Sequence, residues 1–99
     1  MADDPLKIYE DLDPDLRKLV KEISEFALSD GALPKKYKLL IAMALDAAHG
    51  AEKGVRALVQ LALNAGATKE EVAETIRVVH YVSGVGGVYI AAHALEKVL

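Results

Sequence analysis

The sequence contains no cysteine and no tryptophan, and its only aromatic residues are four tyrosines and one phenylalanine. Without cysteine the chain cannot form disulfides, thiolate-bound zinc sites or iron–sulfur clusters, and it has no thiol nucleophile. The scarcity of aromatic residues, with alanine and leucine supplying much of the apolar content, favours closely packed helices over a β-rich core. No stretch alternates β-branched and polar residues between hairpin turns, so no strand is predicted.

The chain also lacks strong charge of either sign. Its formal net charge is −3, and the basic residues are scattered, with no lysine and arginine stripe interleaved with aromatics. Nucleic acid is therefore not an expected partner. The acidic start has no apolar signal region, and the apolar runs Leu39–Leu45 and Val78–Leu95 are too short or too interrupted to span a bilayer. We expect a cytoplasmic protein without a membrane partner.

The remaining composition is typical of one packed domain, because 53% of the 99 residues are hydrophobic. We predict an all-α, single-domain bundle over residues 1–99, with an N-terminal arm at 1–12 and a helical core at 13–99. Hydrophobic spacings of three and four residues predict about five helices. They cover residues 14–29, 34–48, 51–65, 69–83 and 88–98.

Local signals mark several of the helix ends. Asp13 followed by Pro14 is typical of a helix start, and Thr68 with Glu71 forms a capping box. The glycine-rich segment Gly84–Gly87 is expected to interrupt the chain before the last helix. In the arm, the apolar side chains expected to be buried are Leu6, Ile8 and Tyr9.

The second predicted helix has almost no polar face. From Leu39 to Ala48 it is apolar on every side except at Asp46. Such a helix is either buried on all sides or covered by another subunit. A 99-residue monomer cannot easily cover so much apolar surface, so we predict an obligate homo-oligomer.

Three polar residues near the end of this helix are candidates for chemistry. Asp46, His49 and Glu52 follow one another at intervals of three, which places Asp46 and His49 on one helix face. They are suited to proton transfer or to metal ligation. The alternative is structural, with Asp46 bonded to a neighbouring helix and His49 lying near the terminal carbonyls.

Two further histidines lie on the later helices. His80 and Tyr81 occupy the fourth predicted helix, and His93 lies on the last, one turn after Tyr89. If these helices pack together, His49, His80 and His93 converge on one pocket. Hydrogen-bonded packing is the alternative interpretation for such residues.

The block Asp30–Val79 resembles the carboxymuconolactone decarboxylase and alkylhydroperoxidase D family. The resemblance rests on the segment DGALP at Asp30–Pro34, the small-residue helix IAMAL and the segment AGATKEEV at Ala65–Val72. The glycine-rich Gly84–Gly87 also resembles a stretch of the family. The resemblance implies an all-α fold and assembly into homo-trimers or homo-hexamers.

Redox members of this family carry a Glu, a C-x-x-C pair and a His, which relay protons while the dithiol reduces a peroxide. By resemblance these positions fall on Leu39, Ala51, Gly54 and Leu58, so none retains a titratable group. The family's peroxiredoxin-type activity therefore does not transfer to this chain. The decarboxylase branch keeps a His at the position of Leu58, and that residue is lost too.

Two functions from different classes remain, since a third, a thiol-independent peroxidase, would need a metal or haem, and no ligand set in the sequence argues for one. The first is a small-molecule enzyme with non-thiol acid/base chemistry, in which Asp46, His49 and His80 are catalytic. Tyr81 and Glu52 would bind a small carbonyl or carboxylate substrate, with no cofactor and no metal. The alternative is a catalytically silent helical oligomer that binds a ligand or a partner protein.

The shape of the candidate site separates these two functions. A polar cavity lined by Asp46 and His49 favours the enzyme. A site filled by Leu39, Met43 and Leu58 favours the silent module.

Overall fold

Six α-helices make up the structure, a computed structural model that describes residues 4–99. They are α1 (Tyr9–Leu12), α2 (Pro14–Leu28), α3 (Lys35–Ala48), α4 (Glu52–Asn64), α5 (Lys69–Ser83) and α6 (Val85–Glu96). No strand is present over residues 4–99, which confirms the all-α prediction. The predicted helices match α2 to α6 to within a few residues at their ends, and the short α1 within the arm was not predicted.

The start of the last helix is the one boundary that the sequence analysis placed wrongly. The segment Gly84–Gly87 was expected to interrupt the chain, but only Gly84 does so, and α6 begins at Val85. Gly84 has a positive φ of 86°, which reverses the chain in a single residue. Gly86 and Gly87 are therefore helical, and Gly87 is buried.

The helix starts follow the capping residues of the sequence. At α2 the side chain of Asp13 accepts a hydrogen bond from the backbone N–H of Leu16 at 3.1 Å. At α5 the capping box is complete, since Thr68 Oγ1 accepts from Glu71 N–H at 3.0 Å and Glu71 Oε1 accepts from Thr68 N–H at 2.9 Å. These contacts satisfy backbone donors that no helical carbonyl reaches.

Helix α3 lies at the centre of the bundle and packs against α4, α5 and α6. Four of its residues are buried, and every buried side chain of the described range is apolar. The buried cluster consists of Leu39, Leu40, Met43, Ala47, Val55, Val59, Ala62, Ala67, Val72, Val79, Ala91 and Ala94. Five of these twelve residues are alanine, and side chains this short let the helix axes approach closely. The volume of buried side chains is therefore small for a chain of 99 residues.

A salt bridge joins α3 to α5 at their first turns. Lys36 Nζ donates to Glu71 Oε1 at 3.3 Å, and Glu71 also closes the capping box. The backbone N–H of Thr68 and the Lys36 ammonium together hold the pKa of Glu71 below its usual value. The sequence gives α3 a basic first turn, which the helix dipole disfavours, and this pairing offsets part of that cost.

The arm is fixed to α2 by a charged contact. Arg17 donates to Asp4 through both terminal nitrogens, with Nη1 to Oδ1 at 3.0 Å. Leu6 and Tyr9 are half-buried, but Ile8 is 64% exposed, so the expectation that Ile8 is buried was wrong.

Candidate functional site

The first and last positions of the family relay lie in the hydrophobic core. Leu39, at the position that the resemblance assigns to the Glu, is 1% exposed, and Met43 one turn further along α3 is fully buried. Leu58, at the position of the His, is half-buried and packs against the same cluster. Aliphatic side chains therefore fill the space in which a carboxylate and an imidazole would exchange a proton.

The two cysteine positions lie at the start of α4. Ala51 is the N-cap residue of this helix and is exposed, and Gly54 is in its first turn. A Cβ atom on Gly54 would overlap Oδ2 of Asp46 and would lie 2.9 Å from its Cγ. The Asp46 carboxylate thus takes the space that a side chain at position 54 would need.

This placement puts the Asp46 carboxylate close to the N-terminal end of α4. The carboxylate is half-buried and lies beside the first turn of α4, where the unpaired backbone N–H groups carry partial positive charge. In a dithiol protein the same helix end would stabilise a thiolate. Here a carboxylate from α3 lies beside that helix end.

The juxtaposition of Asp46 and Gly54 was not recognised from the sequence. Position 54 lies inside a strongly predicted helix, where an isolated glycine costs about 1 kcal/mol relative to alanine. Such a glycine signals close packing, but the signal does not say which side chain approaches it. Only the crossing of α3 and α4 identifies that side chain as Asp46.

His49 and Glu52 lie on either side of the turn between α3 and α4. His49 is the C-cap residue of α3, is exposed, and its backbone N–H donates to the Leu45 carbonyl at 3.0 Å. Glu52 is the first residue of α4, and its Oε2 lies 3.7 Å from Nζ of Lys97 at the end of α6. Glu52 therefore has a structural partner in this chain.

His80, Tyr81 and His93 all face outward in the single chain. His80 and His93 are exposed, and Tyr81 is 88% exposed on α5. Over residues 4–99 no hydrogen bond or ion pair joins the side chains of Asp46, His49 and His80. In the same range no group of three or more potential ligands is close enough together to hold a metal ion.

Neither of two clefts on the surface of residues 4–99 is lined by Asp46, His49 or His80. One of about 360 Å³ lies between the arm and α2 and includes Asp4, Arg17 and Lys21. The other, of about 470 Å³, lies between α3 and α5 and is almost wholly apolar. No helix of the described chain is long and apolar enough to cross a membrane.

Asp46 and Gly54 offer a direct test of this local geometry. In an open helix interior, Gly→Ala is stabilising by about 1 kcal/mol. We expect Gly54→Ala to be neutral or destabilising in the wild-type protein, because the Asp46 carboxylate must move. In an Asp46→Ala background the same change should be stabilising by about 1 kcal/mol.

The measurement is a double-mutant cycle of the free energies of unfolding in urea, at one protein concentration. Gly86→Ala serves as the matched control, because Gly86 is also helical and a Cβ there meets nothing within 4 Å. A coupling energy near zero between positions 46 and 54 would contradict the placement of the carboxylate.

Comparisons with known proteins agree with this architecture. Residues 14–97 match the carboxymuconolactone decarboxylase family. The crystal structure of an apo carboxymuconolactone decarboxylase family protein from Legionella pneumophila is similar, with a TM-score of 0.87 and 35% sequence identity. The similarity covers 92% of this chain and 81% of the Legionella chain. No protein with a curated description matches closely enough to count as a relative.

Proposed function

The chain belongs to the carboxymuconolactone decarboxylase family, and from that premise we propose that it is a catalytically silent helical oligomer that carries out no thiol chemistry. In this proposal the fold is retained for binding a ligand or a partner protein. In this proposal the protein does not carry out the thiol peroxidase chemistry that the family's redox members perform.

The observation that carries the proposal is the burial of Leu39 and Met43. Both side chains are at most 1% exposed and belong to the cluster that holds α3, α4, α5 and α6 together. A carboxylate at position 39 would be desolvated there without a partner, so the core and the relay cannot share this space. An apolar core occupies the positions that the resemblance assigns to the relay.

The chemistry of the missing groups supports the same conclusion. Reduction of a hydroperoxide by a dithiol requires two sulfur atoms that end as a disulfide, and the sequence has no cysteine. It also requires a group that delivers a proton to the leaving oxygen. Neither Leu39 nor Leu58 can exchange a proton.

The oligomeric part of the proposal is supported by the surface area of the chain. A compact monomer of 10.6 kDa exposes about 5,500 Å², whereas this chain exposes 7009 Å². The excess of about 1,500 Å² is comparable to the area that one subunit buries in an obligate interface. A homo-trimer or homo-hexamer would cover this surface.

A hydroperoxide-consumption assay tests the proposal. Purified, metal-free protein is incubated with cumene hydroperoxide and a dithiol reductant, and hydroperoxide is measured over time. We expect hydroperoxide to be consumed no faster than in buffer that contains the reductant alone. Consumption that increases in proportion to protein concentration would refute the proposal.

A second candidate function is favoured by the position of Asp46. Its half-buried carboxylate lies beside the first turn of α4, next to the position that the resemblance assigns to the second cysteine. In this alternative Asp46 and His49 transfer protons, His80 orients, and Tyr81 and Glu52 bind a small carbonyl or carboxylate substrate. Because His80 and Tyr81 are exposed in the single chain, the pocket would form between subunits.

The two functions differ in what the histidines do. If the protein turns over a carboxylated lactone, the variants Asp46→Asn, His49→Ala and His80→Ala should each reduce kcat at least tenfold. Lys53→Ala, next to the site but outside it, should leave the rate unchanged. Turnover that survives all three substitutions would exclude this candidate.

A further inference from the structure

Helix α2 presents an apolar stripe that the described residues of its own chain leave exposed. None of its fifteen residues is buried, although Leu16, Leu19, Ile23 and Phe26 follow one another at intervals of three, four and three. These side chains are 39%, 55%, 66% and 86% exposed, respectively. The spacing is that of a helix that packs along another helix.

The opposite face of α2 is polar and suited to water. Lys18 lies 4.0 Å from Glu22, and Lys21 lies 4.0 Å from Glu25, in ion pairs one turn apart. All four side chains are more than half exposed. The helix thus has a solvent face and an apolar face, and no helix formed by residues 4–99 covers the apolar face.

The groove between α3 and α5 is the complementary surface. Its volume is about 470 Å³, and its lining includes Tyr37, Ile41 and Leu45 from α3 with Thr75 and Val78 from α5. The Thr75 hydroxyl donates to the Glu71 carbonyl in its own helix at 2.8 Å, so it does not seek an outside partner. Ile41 and Leu45 are 49% and 57% exposed, respectively.

The stripe and the groove match in chemistry, since both are apolar. Helices α2, α3 and α5 contain 15, 14 and 15 residues and are each about 21 to 23 Å long, so α2 can lie along the other two. A helix placed lengthwise in the groove would put a heptad-spaced ridge between two helices, which is a common mode of helix recognition. The occupant also has to account for about 1,500 Å² of excess surface, which a short peptide would not cover.

We propose that α2 of one subunit binds in the α3–α5 groove of a second copy of this chain. The proposal rests on the homo-oligomer proposed above and specifies its interface. Because the two surfaces are different, the contact is heterologous, and a rotation that closes it generates a ring. The α2 helix is then part of the neighbour's core.

The experiment uses one variant on each surface. Phe26→Glu damages the stripe and leaves the groove intact, and Ile41→Glu damages the groove and leaves the stripe intact. Both side chains are exposed in the single chain, so neither change puts a charge into its own core. Leu61→Glu on α4 is the control, since Leu61 is 50% exposed and lies on neither surface.

Mass is measured by sedimentation equilibrium, and helix content by circular dichroism. The wild type and Leu61→Glu should sediment as the same oligomer. Phe26→Glu and Ile41→Glu should each fail to assemble and sediment as monomers. An equimolar mixture of the two should form a species of twice the 10.6 kDa chain mass, because one undamaged contact remains. If the two variants are unfolded when each is alone, an increase in helix content on mixing them would show the same contact.

Each other outcome overturns the proposal in a different way. Loss of assembly only in Phe26→Glu would indicate that two α2 helices pair with each other. An oligomer that neither substitution weakens, an equal loss in Leu61→Glu, or a mixture that does not associate would place the interface elsewhere. A monomeric wild type would refute the proposed oligomer as well, whereas the hydroperoxide assay tests the proposed lack of peroxidase activity independently.

Discussion

Leu39→Glu should leave little folded protein at neutral pH. This substitution restores the carboxyl group of the family relay at a position that is 1% exposed and surrounded by apolar side chains. Losing the leucine alone costs about 2 to 5 kcal/mol, and burying an unpaired carboxylate adds to that cost. The total is comparable to the whole stability of a small domain, which is about 5 to 15 kcal/mol.

The pH dependence of this variant separates buried charge from lost packing. Burial raises the pKa of the introduced carboxyl above its value in the unfolded chain, so the folded state binds more protons. Its destabilisation should therefore be smallest near pH 4 and should increase as the pH rises to about 8.

Two controls accompany Leu39→Glu in urea titrations followed by circular dichroism. Leu39→Met keeps the side chain apolar at similar volume and should cost less than about 1.5 kcal/mol. Lys53→Glu adds a carboxylate at an exposed position and should change stability by less than about 0.5 kcal/mol. A Leu39→Glu protein as stable as wild type at pH 8 would mean that position 39 faces a polar cavity.

Gly87→Ala should lower the free energy of unfolding by about 2 kcal/mol. A Cβ at this buried position would lie 2.6 Å from Cγ1 of Val79 and 3.3 Å from the backbone carbonyl of Ala47. The backbone of α3 cannot rotate away as a side-chain end would, so α6 must shift from its neighbours. Overpacking of this kind costs about 1 to 3 kcal/mol and outweighs the better helix propensity of alanine.

The adjacent glycine supplies the matched control. Gly86 is in the same helical turn, and a Cβ there meets nothing within 4 Å. Gly86→Ala should therefore be stabilising by up to about 1 kcal/mol. The two variants should differ by roughly 10 °C or more in Tm at one protein concentration. Equal melting temperatures would show that α6 does not approach α5 and α3 as closely as described.

The sequence predicted the elements well because their signals are local. Asp13 and Thr68 cap helices where their side chains meet the next free backbone N–H groups. Hydrophobic spacing located α2 to α6 for the same reason. The extent of the interruption at Gly84–Gly87 was wrong, because one residue with positive φ is enough to turn the chain and the other glycines serve helix packing.

The candidate site was harder to predict because it depends on how helices cross. The resemblance placed the relay on Leu39 and Leu58, and both belong to or pack against the core. Nothing in the spacing of Asp46 and His49 shows that Asp46 lies beside Gly54 or that His49 is exposed. The grouping of His49, His80 and His93 stays a prediction, since all three side chains are exposed and none of them lines either cleft described above.

Oxidation of Met43 tests the central claim most directly, because it reports whether peroxide reaches the relay region. The wild-type protein is incubated with hydrogen peroxide, digested at Lys38 and Lys53, and the peptide 39–53 is analysed by mass spectrometry for methionine sulfoxide. A sample unfolded in guanidinium chloride gives the unprotected rate. Met43 is fully buried, so its oxidation in the native protein should be at least a hundredfold slower. Equal rates in native and unfolded protein would mean that an open cavity lies where we describe a closed apolar core.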